Sequence, residues 1–249
     1  MSQNRRILLV RLPVAVLMIS GIAMGTPITF TTPSGSTTSD GSVKATAVFA
    51  ISPGVLTITL NDLLSNPTSV GQLSSNLAFS LSSSLSASAS LASSAQERTV
   101  NGDHSFTEGG TVSTGWALQA YGSSGLILCV ICPNNGTPAP TTNPPPSHLI
   151  IGAGPYTNAN GSIAGNGPHT PFLDETATFT IHDSNITSSM VVSNVVFGFG
   201  TQFGSTVNGE LSAGTSAVPE SRTMLLIGTG LVLLGTCKKR LAKAERQVL

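Results

Sequence analysis

The sequence predicts an all-β protein, an antiparallel β-sandwich of jelly-roll-like form, with an N-terminal signal helix and a single C-terminal transmembrane helix. Three observations predict this architecture. Apolar and polar residues alternate in short segments, Gly, Asn and Pro turns separate those segments, and one short apolar run lies at each end of the chain. A period of two places one face of a strand on a core and the other in solvent. We therefore expect a β-sandwich domain over residues 26–217.

The alternation is clearest in four segments. In three of them, apolar residues take every second position, at Leu56, Ile58 and Leu60, at Ala177, Phe179 and Ile181, and at Val195, Phe197 and Phe199. The fourth, residues 77–91, has Leu, Phe or Ala at most odd positions and Ser at the even ones from 80 to 90. It indicates a strand pair or one long strand, with a flexible Ser-rich linker as the alternative. Turn signals such as Pro53-Gly54 and Asn101-Gly102 lie between the segments.

The composition favours an extracellular domain. Charged residues make up 9% of the chain, with 26 Gly and 15 Pro, whereas an average globular protein has about 25% charged residues. Residues 26–217 hold nine acidic residues against two basic ones, Lys44 and Arg98, which is a net charge of about −7. So few cations cannot neutralise a phosphate backbone, so nucleic acid is excluded as a partner.

The N-terminus has the parts of a secretory signal peptide. Arg5 and Arg6 precede an apolar run that ends in small residues, and Ala23 and Gly25 fit the positions that signal peptidase reads. The run is too short to span a bilayer comfortably. We therefore expect residues 1–25 to be a signal peptide, with a retained membrane helix as the alternative.

The C-terminus, residues 218–249, divides into a polar turn, an apolar run and a basic cluster. These parts are Val218, Pro219 and Glu220, then residues 223–237, then Lys238, Lys239 and Arg240. As a helix, the 15 uncharged residues extend about 22 Å, at roughly 1.5 Å per residue. Such a span is short unless the bilayer thins or flanking residues snorkel. The basic cluster predicts a stop-transfer signal that keeps the tail in the cytoplasm.

This three-part tail resembles the PEP-CTERM sorting signal, in which a Pro-Glu motif precedes a short apolar helix and a basic cluster. The PEP-CTERM signal that it resembles is also known as the ice-binding protein C-terminal domain, which is a name and does not imply ice binding. The PEP-CTERM family usually has Pro after the Glu, where this chain has Ser221. Residues 45–81 and 192–209 resemble the opening strands and the closing strand of an uncharacterised surface domain that recurs in PEP-CTERM proteins.

The resemblance implies an exported, non-enzymatic protein of the cell surface or extracellular matrix. It implies processing by exosortase, a membrane transpeptidase-like cysteine enzyme of Gram-negative bacteria that make exopolysaccharide. The chain would cross the inner membrane, stay anchored there first, and then be cut near Pro219-Glu220. Exopolysaccharide is a further partner that the resemblance implies, and no cofactor is implied. An ordinary single-pass membrane-anchored protein is the alternative.

Cys129 and Cys132 form a C-x-x-C pair at the end of a predicted strand. One such pair does not complete a zinc site, and a thioredoxin-like role requires a helix that begins at the first Cys. A disulfide within a turn is favoured in an oxidising compartment, and free thiols or a redox or metal role are the alternatives. The Pro- and Asn-rich residues 132–148 predict an extended surface loop.

Catalytic motifs are missing from the sequence. It contains no His-Glu-x-x-His, no G-x-S-x-G and no phosphate-binding loop, so we predict no catalytic residue, metal ligand or cofactor site. The glycines of residues 198–204 fit strands and turns better than a dinucleotide motif. A carbohydrate-binding module that uses acidic loops, among them Asp174-Glu175, and Trp116 is an alternative function. Solvated loop charges and a core or edge-strand Trp116 fit the same pattern. A secreted hydrolase requires scattered carboxyl groups to converge.

Overall fold

The computed structural model of the chain describes residues 26–122, 125–133, 147–165 and 167–212. Fifteen strands and one 3-10 turn, Val70–Gln72, form within these ranges, which confirms the predicted all-β class. The strands are β1 (Ile28–Thr31), β2 (Thr37–Thr38), β3 (Gly41–Ser42), β4 (Ala45–Ser52), β5 (Val55–Asp62), β6 (Ser74–Leu81), β7 (Ser90–Val100), β8 (Phe106–Val112), β9 (Ala117–Tyr121), β10 (Gly125–Cys129), β11 (Ile150–Ile151), β12 (Phe172–His182), β13 (Val192–Phe199), β14 (Thr206–Asn208) and β15 (Glu210–Leu211).

Thirteen of these strands form one sheet, in which β11 joins two groups of seven and five strands. The larger group has the order β15-β1-β4-β5-β12-β7-β8, and the smaller has the order β9-β10-β6-β13-β14. β11 pairs with β6 at Ser74 and runs parallel to β12 at Leu173 and Asp174, whereas the other described pairs are antiparallel. β2 and β3 form a separate hairpin. The result is a sandwich-like arrangement with one crossing point between its layers.

The core lies between the two layers because each central strand of the larger one turns every second residue inward. Leu56, Ile58 and Leu60 of β5 are fully buried, as the alternation predicts. Across the core, the ring of Phe49 in β4 meets that of Phe79 in β6 edge-on, with 5.5 Å between the ring centroids. Aromatic pairs of this geometry add to the free energy that burial of their surface supplies.

Trp116 belongs to this core. It is 5% exposed, its ring centroid lies 5.2 Å from that of Phe179, and its indole N–H donates a hydrogen bond of 2.9 Å to the carbonyl oxygen of His148. A buried indole with a satisfied N–H does not present a face to a ligand. Of the core and edge-strand positions that the sequence predicts for Trp116, the structure shows the core position, and the buried ring leaves no exposed face for a sugar to stack on.

The Ser-rich segment 77–91 forms the ends of two strands with a loop between them. β6 ends at Leu81 and β7 begins at Ser90. In the intervening loop, the Asp183 carboxylate accepts the backbone N–H of Ser86. Hydrogen bonds of this kind offer the backbone an alternative to strand pairing. The alternation thus predicted strand residues at both ends of this segment, but β6 and β7 do not pair with each other, because β6 pairs with β10, β11 and β13 and β7 pairs with β8 and β12.

The predicted export signals fall outside the described residues. These signals are residues 1–25 and residues 218–249, which include the apolar run 223–237. Residues 134–146 of the predicted surface loop 132–148 also lie outside the described residues. In the part of the chain that the structure describes, no helical segment has the length and apolar character needed to cross a bilayer.

Candidate functional site

A buried arginine surrounded by carboxyl groups is the main polar cluster of the described residues. Arg98, on β7, is 5% exposed, and its guanidinium contacts three carboxylates and one tyrosine. Nε donates to Glu108 Oε1 at 3.0 Å, Nη2 lies 2.7 Å from Asp174 Oδ1, and Nη1 lies 3.4 Å from Glu175 Oε1. Nη1 also donates to the Tyr156 hydroxyl oxygen at 2.8 Å. We call these five residues the Arg98 cluster.

Aromatic rings close the cluster on one side. Arg98 Cζ lies 4.5 Å from the centroid of the Phe106 ring, which meets the Tyr156 ring edge-on at 5.7 Å. A guanidinium over an aromatic face gains a cation–π contact, and the rings remove water from that side. The Tyr156 O–H in turn donates 2.7 Å to the carbonyl oxygen of Gly152. The cluster therefore joins β7, β8 and β12 to the 152–156 loop.

The electrostatics of the cluster favour a charged arginine and a neutral tyrosine. Burial alone lowers the pKa of Arg98, but the hydrogen bonds to Glu108 and Tyr156 outweigh burial and raise it. Burial raises the pKa of Tyr156 to about 12. Burial also raises the pKa of Asp174. The positive charge of Arg98 lowers this pKa, but the neighbouring carboxylates of Glu108 and Glu175 raise it further, so the net shift is upward.

A bulge in β12 brings two of the carboxylates to Arg98. The pairing of β12 with β7 shifts register between Leu173 and Ala177, so residues 174–176 lie opposite a single residue, Gln96. Glu175 has a φ of 51° within this bulge. Bulges redirect side chains in this way. Asp174 and Glu175 therefore contact a buried arginine from a strand, so the expected loop position is wrong for both. The Asp174 side chain is 18% exposed and that of Glu175 is 47% exposed, so only Glu175 is solvated to the extent expected.

A second polar link lies beside the cluster. His148 Nε2 is 3.1 Å from Glu97 Oε1, and His148 Nδ1 is 3.0 Å from the carbonyl oxygen of Thr114. His104 Nδ1 is 3.0 Å from the carbonyl oxygen of Tyr156. Each histidine thus contacts a segment that lies far from it in the sequence. Each meets a backbone oxygen, so each helps to hold a loop.

The chemistry open to the Arg98 cluster is that of a structural clamp. Its carboxylates all contact one cation, and two of them, from Glu108 and Asp174, approach the same nitrogen, Nη2. A general acid and base across a cleft require two carboxyl groups spaced by about 5–9 Å with room for a sugar or water. Among the described residues, no group of three or more His, Cys, Asp or Glu side chains is placed to hold a metal ion.

Cys129 and Cys132 are joined by a disulfide. Their Cα atoms lie 5.2 Å apart, at the point where β10 ends and the chain turns. This separation lies within the ordinary range for a disulfide. Cys129 is fully buried and packs with Ala78 and Ile127. The bridge therefore fixes the exit of β10 from the sheet.

Reduction of this bridge is expected to lower the free energy of unfolding by about 2 kcal/mol, because the bridge closes a loop of only four residues. Urea unfolding with and without a phosphine reductant measures the difference. Thiol alkylation followed by mass measurement is the control, since reduction should add two labels. Without reduction, only Cys237 should be labelled. Two further labels on the unreduced chain would show that Cys129 and Cys132 are free thiols and would contradict the bridge.

The predicted sorting residues lie outside the described residues. These are Val218, Pro219, Glu220, Lys238, Lys239 and Arg240. Comparison with protein-family models, with curated proteins and with solved structures finds no match to this chain. The resemblance to PEP-CTERM proteins accordingly stays a prediction.

Sequence reasoning missed the Arg98 cluster for a simple reason. Glu108 and Asp174 lie 10 and 76 positions from Arg98, and no motif spacing links them. One signal was present, because Arg98 is one of only two basic residues between positions 26 and 217. A single arginine within a β-rich, charge-poor segment is a candidate for burial with acidic partners.

Proposed function

We propose that the chain is an exported, non-enzymatic protein of the cell surface or extracellular matrix, sorted through its C-terminal PEP-CTERM-like signal. The observation that carries this proposal is the disulfide between Cys129 and Cys132. Disulfides persist in oxidising compartments outside the cytosol and are rare inside it. Export through the inner membrane accounts for this bridge and for the apolar, cation-flanked ends of the sequence.

The fold supports the same proposal. The described domain places few charges on its surface, and its outward-facing strand positions carry mostly small hydroxyl and aliphatic side chains, as Thr57, Thr59, Thr178 and Thr180 illustrate. The finer architecture that we propose is a jelly-roll-like antiparallel sandwich, with a signal helix before it and one transmembrane helix, residues 223–237, after it. An exosortase-type enzyme would act on the tail before release or surface attachment.

Intact-mass measurement tests this proposal. The chain is expressed in a Gram-negative host that encodes an exosortase, and the product is recovered from the medium and the cell surface. The expected masses begin after residue 25 and end near Pro219-Glu220. The double variant Pro219→Ala, Glu220→Ala should keep its tail, whereas Glu210→Gln, an exposed change in β15, should be processed normally.

Two other outcomes would contradict the proposal. A tail retained in every host indicates an ordinary single-pass anchor in place of a sorting signal. A full-length product that is soluble in the cytoplasm, with residues 1–25 still attached, removes the case for export.

A further inference from the structure

A broad groove opens on the sandwich, and none of its lining residues belongs to the Arg98 cluster. Its walls are the β2–β3 hairpin, the 3-10 turn Val70–Gln72, and residues 199–206 between β13 and β14. Asn160 and Ser162 complete the wall, and the groove encloses about 910 Å³. That volume lies at the upper end of the usual range for ligand sites. We call it the hydroxyl groove.

The lining of the hydroxyl groove is polar but almost uncharged. Nine of its sixteen lining residues carry hydroxyl or amide side chains, and Asp40 is the single charged one. Hydroxyl and amide groups both donate and accept hydrogen bonds, so they match a ligand rich in hydroxyl groups. Without Lys or Arg, the groove offers nothing to balance a phosphate or a carboxylate. The lining thus favours a neutral ligand.

The groove is built from close backbone contacts. Gly200 has a φ of +80°, and a Cβ placed on it would lie 3.1 Å from Gly71 Cα. The Gly200 N–H donates a hydrogen bond of 2.8 Å to the carbonyl oxygen of Leu73, and the Val70 N–H donates one of 2.9 Å to Ser162 Oγ. Gln72 Nε2 donates 2.9 Å to the carbonyl oxygen of Ser42. These bonds tie the walls together, so binding requires little ordering of the protein.

Two exposed aromatic rings extend the groove. Phe203 in its wall is 38% exposed and meets Tyr121, at the end of β9, edge-on with 6.0 Å between the ring centroids. Tyr121 is 36% exposed and lines a shallower depression of about 270 Å³ with Asn194 and Ser80. The contact between these two rings therefore places the two concavities next to each other. Such a track accommodates several units of a chain rather than one compact molecule.

We propose that the hydroxyl groove binds a linear, neutral polysaccharide, with sugar rings stacked on Phe203 and Tyr121. The apolar C–H face of a pyranose ring packs on an aromatic face, while its hydroxyl groups exchange hydrogen bonds with the polar lining. This inference goes beyond the proposed function, because it names a ligand and a site and holds for any route by which the protein reaches its location.

Calorimetric titration of the full-length chain tests the inference. The chain is held in a zwitterionic detergent, because glycosidic detergents carry the chemistry of the ligand. The probes are cellohexaose, laminarihexaose and mannohexaose, with hexagalacturonate as the anionic counterpart. At least one neutral hexasaccharide should bind at one site per chain, and hexagalacturonate should bind more weakly than that probe.

Variants locate the binding. Phe203→Ala should weaken it about tenfold, as loss of an aromatic contact predicts, and Gln202→Ala should weaken it several-fold. Val191→Ala, an exposed apolar change beside the opposite end of β13, is the matched control and should leave the affinity unchanged. Far-UV circular dichroism and the unfolding midpoint verify that each variant is folded.

Three results would overturn the inference. In the first, no neutral hexasaccharide binds to the folded chain. In the second, hexagalacturonate binds as tightly as the best neutral hexasaccharide or more tightly. In the third, Phe203→Ala leaves the affinity unchanged, or Val191→Ala lowers it as much as Phe203→Ala does. The mass experiment on export is independent of all three, so failure of one proposal is distinguishable from failure of the other.

Discussion

Replacing Arg98 with Met is expected to lower the free energy of unfolding by about 3–5 kcal/mol, because it removes the one cation that compensates a group of carboxylates. The Asp174 side chain is only 18% exposed and lies 2.7 Å from Arg98 Nη2. Without Arg98, that carboxylate must stay ionised without a partner or take up a proton. The Tyr156 hydroxyl also loses its donor.

Urea unfolding measures the effect through fluorescence of Trp116, the single tryptophan of the chain. Trp116 packs on Phe179 in the core, so its emission reports on the tertiary structure. The deficit of the Arg98→Met variant should shrink as the pH falls, since a protonated Asp174 no longer needs a cation. Arg98→Lys should fall between the two chains, because lysine keeps the charge and loses the planar fork of donors.

Lys44→Met is the matched control for this experiment. It removes the same charge from the other basic position of residues 26–217, where the side chain is exposed. Exposed substitutions usually change stability by no more than about 0.5 kcal/mol. If Arg98→Met were no more destabilising than Lys44→Met, the Arg98 cluster would be a surface network rather than a clamp.

The strands that the sequence predicts best are those with one buried face and one wet face. β5 and β12 have this form, so Leu56 to Leu60 and Ala177 to Ile181 carry the period of two that burial on one side imposes. β6 was harder to delimit, because it lies in the middle of the smaller layer. The first six of its eight residues, from Ser74 to Phe79, are buried in succession, so burial does not alternate over that part of the strand.

Polar sites were harder to predict than strands, because they depend on contacts between distant segments. The hydroxyl groove is built from Ser, Thr and Gly residues of four separate segments, and each residue by itself is ordinary for a surface turn. The sequence pattern predicts that the glycines of residues 198–204 lie in strands and turns. That assignment agrees with the structure, where Gly198 lies in β13 and Gly200 follows it with a positive φ. The pattern carried no indication of the concavity that they help to form.

Asp62 illustrates both sides of this limit. It continues the alternation of Leu56, Ile58 and Leu60, so the period of two places it inward, and the structure confirms that it is buried. Its partners could not be read from that pattern. Asp62 Oδ2 accepts the backbone N–H and the hydroxyl of Ser74, each at 3.0 Å, and Oδ1 accepts the N–H of Leu64 at 3.1 Å.

Between pH 4 and pH 7, Asp62 is expected to make the folded chain less stable as the pH rises. Burial raises the pKa of Asp62 from 3.8 to about 7, although its three hydrogen bonds act in the opposite direction. The folded chain therefore holds a proton that the unfolded chain has released over this range. Stability falls with pH wherever the folded state binds more protons. The total fall is on the order of 4 kcal/mol at about 1.36 kcal/mol per pKa unit, and it ends above pH 7.

The variant Asp62→Asn isolates this contribution, because it has no carboxyl group to titrate. Urea unfolding of both chains from pH 4 to pH 8 gives two curves, and their difference cancels the groups that they share. The difference should decline with rising pH up to about 7 and then become flat. A difference that is level from pH 4 to pH 8 would show that Asp62 is ionised throughout, held by the donors from Ser74 and Leu64.

Asp183→Asn is the contrasting control. Asp183 accepts the backbone N–H groups of Asn185 and Ser86, and these bonds, that from Asn185 first, lower its pKa. A lowered pKa contributes stability that is present above the unfolded value and is lost on acidification below it. Asp183→Asn should therefore lower stability at neutral pH and leave the decline between pH 4 and pH 7 in place. The two aspartates then separate by the sign of their pH dependence, because burial outweighs three hydrogen bonds at Asp62, whereas hydrogen bonds outweigh burial at Asp183.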